Sequence, residues 1–370
     1  MTAQRRFGDL RAHLIPAGTV TFDGWEQEDV VTARTMPADI ARTVPIDFVR
    51  AAVAMAGRRG VDTAWLLESV GVAPELMAQD RARVTVAQMT RTVQQLWRIS
   101  DDEMFGLGRQ PVPRGTLRLI CFGLVVCPDL GSALTRFADY QRLAPGLPPM
   151  IAATERSRTR FTVDTSILDD PEHLMTSFLL ASAHRMMAWG IGRRIPLRQV
   201  EFPFPKPRNI GDYDLLFAAP LVFDAGTAAL VFDSALLSSP ITQTEESLIA
   251  WNRNAPADLL SRREYGTSLS EQVRRILTRG LTGDWPNAEE VARCLAMSPQ
   301  TVRRKLGEED TSVTKIREDI LRDAAIAGLV RGNETVEELS TRLGFSEPSA
   351  FRRAFRRWTG SPPGSYRADA

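Results

Sequence analysis

The sequence predicts a helix-rich α+β chain. A mixed N-terminal domain of helices and antiparallel strands precedes an all-α C-terminal domain with two helix-turn-helix units. Three observations predict this. Residues 287–358 read twice as short helix, small-residue turn, Ser and Arg-bearing helix. Residues 46–143 carry apolar side chains at helical spacing. Residues 151–233 contain short alternating runs bounded by Gly and Pro, the mark of strands.

The elements follow in order. Residues 1–40 hold Gly18, Gly24, Pro37 and an acidic stretch at 26–29, and are expected to form an N-terminal arm. Helices are expected at 46–56 after Pro45, at 63–70 capped by Asp62, and at 85–97 with Val86, Met89, Val93 and Trp97 on one stripe. The run 115–126 is almost wholly apolar and too short to span a membrane, so it reads as a buried core helix. A further helix is expected at 130–143. A hairpin is expected at 151–156 and 160–165, turning at Ser157-Arg158-Thr159. The long helix 171–189 would be opened by Asp169 or Asp170. A strand at 200–204, a short helix at 210–217 and a strand pair at 221–224 and 229–233 around Gly226 complete this region. The hinge is expected at Tyr265-Gly266-Thr267, which sets the domains at 41–264 and 265–370. The second opens with a helix at 269–281.

The 370 residues are too many for one ordinary domain and suit two. A net charge of +1 argues against a polybasic nucleic-acid coater, but not against local basic clusters. Cys121, Cys127 and Cys294 are too scattered for a disulfide framework or thiolate metal site, which fits a cytoplasmic protein. No apolar run has transmembrane length, so no membrane partner is expected. His13, His173 and His184 lack metal-ligand spacing, and Ser182 lacks the turn of a nucleophile elbow. No phosphate-binding Gly loop is present. No catalytic residue, metal or cofactor is expected, and an enzyme is excluded as the first reading.

The repeated stretch carries the chemistry. The units span 287–306 and 335–358. Their first helices match Val291 and Leu295 with Leu339 and Leu343. The turns are Ala296-Met297-Ser298 and Gly344-Phe345-Ser346. Ser298 and Ser346 are placed to cap the second helices, and Gly344 suits a left-handed turn position. Ser346 follows Ser298 by 48 residues and Arg353 follows Arg304 by 49, so the second turn holds one extra residue. The helix expected at 314–330 is about 25 Å long at about 1.5 Å per residue. With the width of its flanking units it could hold two recognition helices one DNA turn apart, roughly 34 Å.

Residues 268–366 resemble the DNA-binding domain of the AraC/XylS family of bacterial transcription regulators. Leu339, Leu343-Gly344-Phe345-Ser346, Phe351-Arg352-Arg353-Ala354-Phe355, Thr359-Gly360-Ser361-Pro362-Pro363 and Tyr366 carry this resemblance. Residues 44–260 resemble the arabinose-binding-like N-terminal domain of one branch of these regulators. Arg114-Gly115-Thr116-Leu117-Arg118-Leu119, Ile191-Gly192-Arg193-Arg194-Ile195-Pro196-Leu197, Val200-Glu201-Phe202, Tyr213, Leu216-Phe217, Ala229-Leu230-Val231-Phe232-Asp233 and Ala255-Pro256-Ala257-Asp258-Leu259-Leu260 carry it. The helix-rich pattern departs from the mostly stranded sensor of the arabinose regulator, so arabinose itself is not implied.

The resemblance implies a one-component regulator that binds double-stranded DNA, responds to a small-molecule effector, forms a homodimer and admits RNA polymerase as a further partner. The family's base-reading positions fall on Gln300, Arg303 and Arg304, with Thr301 on the same exposed face. In the second unit they fall on Ser349, Ala350 and Arg353, with Arg352 beside them. Ala350 can touch only a thymine methyl, which leaves Arg353, Arg356 and Arg357 mainly to phosphate. Arg114, Arg118 and Arg185 lie near apolar runs and suit the carboxylate of an apolar effector. The rival reading is a ligand-independent regulator whose N-terminal domain serves only dimerisation or other protein contacts.

Overall fold

Local capping explains where the helices begin. The computed structural model describes residues 43–207, 216–217, 219–254, 269–282, 285–309 and 311–367. The expected arm, the hinge at 265–267, Tyr213, Asp310, the run 255–260 and most of the helix expected at 210–217 lie outside these residues. Helix α1 (Ile46–Arg58) follows Pro45, and α2 (Thr63–Val70) starts where the Asp62 carboxylate accepts from the Ala64 and Trp65 N–H groups. Gly71, at φ 67°, ends α2 in the left-handed conformation that glycine adopts without strain. Helix α3 (Val86–Ser100) opens with a capping box between Thr85 and Gln88. Helices α4 (Thr116–Leu124), α5 (Leu130–Tyr140), α6 (Leu174–Gly190) and α7 (Glu245–Asn254) complete the N-terminal region.

Strands β1 (Thr43–Pro45) and β2 (Arg83–Thr85) form a two-stranded antiparallel ribbon. A five-stranded sheet holds β3 (Met150–Glu155), β4 (Arg158–Val163), β5 (Leu197–Glu201), β6 (Leu221–Val222) and β7 (Ala228–Asp233) in the order β3-β4-β7-β5-β6. Strand β7 is buried along Ala228–Phe232 and takes the centre, antiparallel to both neighbours.

The sheet corrects several sequence expectations. β6 does not pair with β7. It lies parallel to β5 at the sheet edge, because β4 and β5 already occupy both edges of the apolar β7. The hairpin turns tightly at Arg156-Ser157, with Arg156 at φ 54°, so its second strand starts two residues early. β5 likewise starts at Leu197, and Phe202 continues as buried aromatic core. Helix α6 starts three residues late. The Asp170 carboxylate accepts from the Met175 and Thr176 N–H groups at 3.1 and 2.8 Å while His173 bulges out at φ 57°. Helix α4 is not wholly buried. Ile120 and Cys121 face the core, whereas Leu119 is 74% exposed and Val126, just beyond it, 61%.

The C-terminal region contains α8 (Leu269–Thr278), α9 (Ala288–Cys294), α10 (Pro299–Glu308), α11 (Val313–Arg331), α12 (Val336–Arg342) and α13 (Pro348–Thr359). Its two halves pack differently. Leu269, Val273, Leu277, Val291, Val302, Leu306, Ile316 and Ile320 form a separate core under α9 and α10. Leu339, Phe351, Phe355 and Tyr366 instead join one continuous core with Ile46, Met89 and Val84 of the N-terminal region. Helix α11 was expected to bury one face. It also buries Ala325 and Ile326, because it serves both cores, while Ala327 is only half-buried.

Phe202 anchors the N-terminal core, fully buried against Phe204, Phe217 and Phe223 at ring-centroid distances of 5.1, 5.7 and 5.2 Å. Phe202→Ala is expected to lower the unfolding free energy by about 3–5 kcal/mol. The check is a urea melt of the full chain, read as a fall in midpoint.

Candidate nucleic-acid interface

Each helix-turn-helix unit turns its basic residues outward because its apolar residues are committed inward. In the first unit, Asn287 and Glu290 form a capping box that starts α9. Val291 and Ala292 are buried. The chain leaves the helix through Ala296 at φ 53°, and Ser298 restarts it by accepting from the Thr301 N–H at 3.1 Å. Val302 and Leu306 are the buried residues of α10, so Gln300, Arg303 and Arg304 are left exposed on its other side. Thr301 is half-buried, and its hydroxyl shares a 2.8 Å hydrogen bond with Ser298.

The second unit repeats this plan with one difference. Thr335 and Glu338 form its capping box, and Gly344 takes the left-handed turn position at φ 82°. Hydrogen bonds from the Thr335 backbone and side chain hold the Glu338 carboxyl below its usual range. Ser346 does not cap α13. The extra turn residue moves the N-cap to Glu347, which makes no capping hydrogen bond, and Pro348 fills the first turn, where a missing N–H costs nothing. Phe351, Ala354, Phe355 and Thr359 are buried, leaving Ser349, Arg352, Arg353, Arg356 and Arg357 exposed and Ala350 half-exposed. The Ser349 hydroxyl donates to Glu347 at 3.0 Å.

Acidic neighbours divide the arginines into two sets. Arg304 pairs with Glu308 and Arg352 with Glu337, while Arg357 meets Glu318 at 2.9 Å. Arg303, Arg353 and Arg356 have no ion-pair partner among the described residues. All of these pairs are exposed, where an ion pair stabilises by at most about 1 kcal/mol. They can be exchanged for phosphate or base contacts.

Helix α11 joins the units. Its 19 residues make a rod of about 28 Å. Ser312 caps one end and Gly332, at φ 70°, closes the other. Two residues without a sequence signal tie neighbouring elements of this region together. Trp285 packs against both cores, lies under the Arg317 guanidinium at 4.9 Å and borders Gly344. Glu309 caps α8, accepting from the Leu269 and Ser270 N–H groups at 3.0 Å each. A lone Trp beside a loop and an acid at a helix end carry no periodic signal, which is why the pattern missed them.

The effector candidates lie elsewhere. Arg114 is exposed just ahead of α4, and the Arg118 guanidinium sits 5.7 Å from the Phe122 ring centroid. Arg185 is half-buried on α6. Cys121 and Phe122 of α4 meet Phe178, Met186 and Trp189 of α6 and Leu248 and Trp251 of α7 in one apolar cluster. The Glu103 carboxylate accepts from the Gly115 and Leu117 N–H groups at 2.7 and 3.0 Å, so a built-in carboxylate already stands at the start of α4, near Arg114. Burial pushes that carboxyl above its usual range despite these hydrogen bonds.

Burial also pushes the Cys121 thiol up to about 12, which removes it as a nucleophile. His184 Nε2 lies 2.8 Å from the Ile195 carbonyl, and His173 stacks on Phe204 at 4.0 Å. Among the described residues, no three His, Cys, Asp or Glu side chains cluster for a metal, and no helix is long and apolar enough to cross a membrane.

Comparison with known proteins agrees with this geometry. The family model for the arabinose-binding N-terminal domain of AraC transcription regulators matches residues 60–241, and a helix-turn-helix domain model matches residues 291–369. The ornithine utilization regulator of Pseudomonas aeruginosa is 24% identical over 331 residues, which cover 88% of this chain and 97% of that protein. An HTH-type transcriptional regulator of Mycobacterium tuberculosis is 26% identical over 343 residues, 89% of this chain and 97% of its own. The HTH-type transcriptional regulator VqsM of Pseudomonas aeruginosa is 37% identical over 83 residues, 22% of this chain and 26% of its own.

The two turns predict opposite responses. Ala296 carries a side chain at positive φ, so Ala296→Gly is expected to stabilise the protein by about 1–2 kcal/mol. Gly344→Val is expected to destabilise it by at least as much, since a β-branched residue is strained at φ 82°. Thermal melts of both variants check the signs.

Proposed function

We propose a function for a chain that belongs to the AraC family of transcription regulators and joins an arabinose-binding-like N-terminal domain to a helix-turn-helix DNA-binding domain. It is a one-component regulator. Its two Arg-bearing helices, α10 and α13, enter successive major-groove segments of one operator, and a small-molecule effector acting on the N-terminal domain controls that binding. One observation carries the reading: two matched exposed helix faces, each with adjacent arginines, flank a single 19-residue helix. Gln300, Thr301, Arg303 and Arg304 serve the first groove segment. Ser349, Ala350, Arg352 and Arg353 serve the second, with Arg356 and Arg357 on phosphate. An Arg fork matches guanine O6 and N7, which gives it discriminating power.

The effector we propose is an apolar carboxylate lodged between α4 and α6. The apolar cluster of Cys121, Phe122, Phe178 and Trp189 supports the apolar part, and Arg118 and Arg185 on those helices suit the carboxylate. Glu103 already accompanies Arg114.

A specific observation favours the rival reading, in which the N-terminal domain only self-associates, as a homodimer. Leu119, Leu143 and Ile151 are 74%, 84% and 56% exposed, and Gln141 next to the α5 end bonds the Met150 backbone, so α5 and β3 adjoin. Exposed apolar side chains on adjoining elements are what a self-association surface would cover. Thermal-shift screening of the full chain with fatty acids, amino acids and sugars separates the readings. Stabilisation by apolar carboxylates supports effector control, stabilisation by sugars alone overturns the carboxylate, and no shift with any of them favours self-association.

For the DNA face, Arg304→Ala and Arg353→Ala are each expected to weaken binding to a duplex selected by the wild-type chain by about 1–3 kcal/mol, with less loss on scrambled DNA. Arg356→Ala is expected to weaken both alike. Titrations at fixed salt check this, and equal losses on both duplexes for Arg304 and Arg353 would reassign them to phosphate.

A further inference from the structure

Among the described residues, hydrogen bonds join the N-terminal region to one helix-turn-helix unit and not to the other. Thr43 on β1 donates its hydroxyl to the Asp323 carboxylate of α11 at 2.6 Å, with both residues buried. Arg83 on β2 donates to the same Thr43 hydroxyl at 2.8 Å and to the Thr43 carbonyl at 2.9 Å. The Arg83 backbone N–H donates to the Tyr366 hydroxyl at 3.2 Å. The buried Tyr366 ring meets Phe355 of α13 edge-on at 5.2 Å. The polar line continues along α11. Arg322 donates to Asp323 at 3.1 Å and pairs with Asp319 at 2.8 Å. Nearby, Arg81 donates to the carbonyl of Arg357, near the end of α13, at 3.3 Å. Among the described residues, α9 and α10 make no hydrogen bond or ion pair with residues 43–254.

A buried carboxylate is costly unless its lone pairs are met. Asp323 meets this need partly with a hydroxyl 280 residues away in sequence. Any movement of the β1–β2 ribbon away from α11 therefore strips a partner from a buried charge. The apolar packing around it has the same reach, since the core under α12 and α13 is continuous with that of the N-terminal region while the first unit keeps its own.

We propose that Asp323 is a positioning residue: with Thr43, Arg83 and Tyr366 it forms a polar seam by which the β1–β2 ribbon holds α11 and the second helix-turn-helix unit, a seam that among the described residues does not reach α9 or α10. A change that reaches the ribbon passes to DNA through the second unit. That consequence rests on the regulator reading, while the seam itself does not.

Hydrogen exchange of the full chain, without DNA, tests the seam. Thr43→Val keeps the shape and removes the donor. It is expected to cut protection at least tenfold in α11, in β1–β2 and around Tyr366, and to leave α9 and α10 unchanged. Thr43→Ser restores the hydroxyl and is expected to match wild type, and Tyr366→Phe should loosen the same segments as Thr43→Val. Unchanged protection in Thr43→Val overturns the proposal. So does an equal loss in α9 and α10, which would mean general loosening, or a Thr43→Ser variant as loose as Thr43→Val. Selection of duplexes from a random pool by the wild-type chain is run in parallel. If nothing is selected the regulator reading fails, and the exchange result still decides the seam. With a selected duplex, footprinting of Thr43→Val is expected to show protection reduced threefold or more over the second unit's half only, and a uniform change over both halves counts against the proposal.

Discussion

Helix α11 must satisfy two cores at once, and the rest of the C-terminal region depends on how it does so. Ile316 and Ile320, one turn apart, complete the core of the first unit. Leu321, Ala325 and Leu329 follow at the same spacing on another side and enter the larger core, joined by Ala324 and Ile326. Small residues permit the close approach. A Cβ at Gly328 would come within 2.8 Å of the Glu334 carboxylate and 2.9 Å of a Leu339 methyl, side-chain ends that would have to shift, so glycine eases the approach of α12 to the rod. With both ends of α11 packed this way, the spacing of α10 and α13 becomes a property of one helix instead of a flexible linker. This geometry is what two recognition helices on one duplex need.

The electrostatics of the face follow from the chain's near neutrality. A net charge of +1 cannot supply long-range attraction by itself. The structure instead keeps the basic residues local and balances several of them with nearby acids. Among the described residues, Arg304, Arg352 and Arg357 have carboxylate partners and Arg303, Arg353 and Arg356 do not. Exposed pairs are cheap to break, so the acids do not block DNA, but each arginine taken from Glu308, Glu337 or Glu318 leaves an acid near the phosphates. Contacts that do not return more than this repulsion are disfavoured.

Much of the fold was legible because its signals are local. Asp62, Asn287, Ser298 and Thr335 act as caps within a turn of their own helix, and Gly344 takes the left-handed position its turn demanded. The outward face of each recognition helix followed from its apolar spacing. What escaped depends on distant partners. The parallel seat of β6 is set by which strands already flank β7, something no run of residues encodes. Ser346 looked like a cap by analogy with Ser298, and a single inserted residue moved that role to Glu347. Nothing local marks Asp323, because its partner Thr43 lies 280 residues away. Arg114, Arg118 and Arg185 were chosen by composition, and composition could not reveal that Glu103 already stands beside the first of them.

The two units are thus alike in plan and unequal in attachment. The first turns through Ala296, an L-residue at φ 53°, and rests on a small separate core. The second turns through an unstrained glycine, and its core merges with the largest in the molecule. Local stability follows burial and backbone strain, and both differ between the units. Gln300, Arg303 and Arg304, which we propose face the bases, stand on the unit with the separate core. Arg353 stands on the part held against the N-terminal domain. One half of the proposed reader is held against the domain we assign to sensing, and a signal carried by that contact reaches the other half through α11.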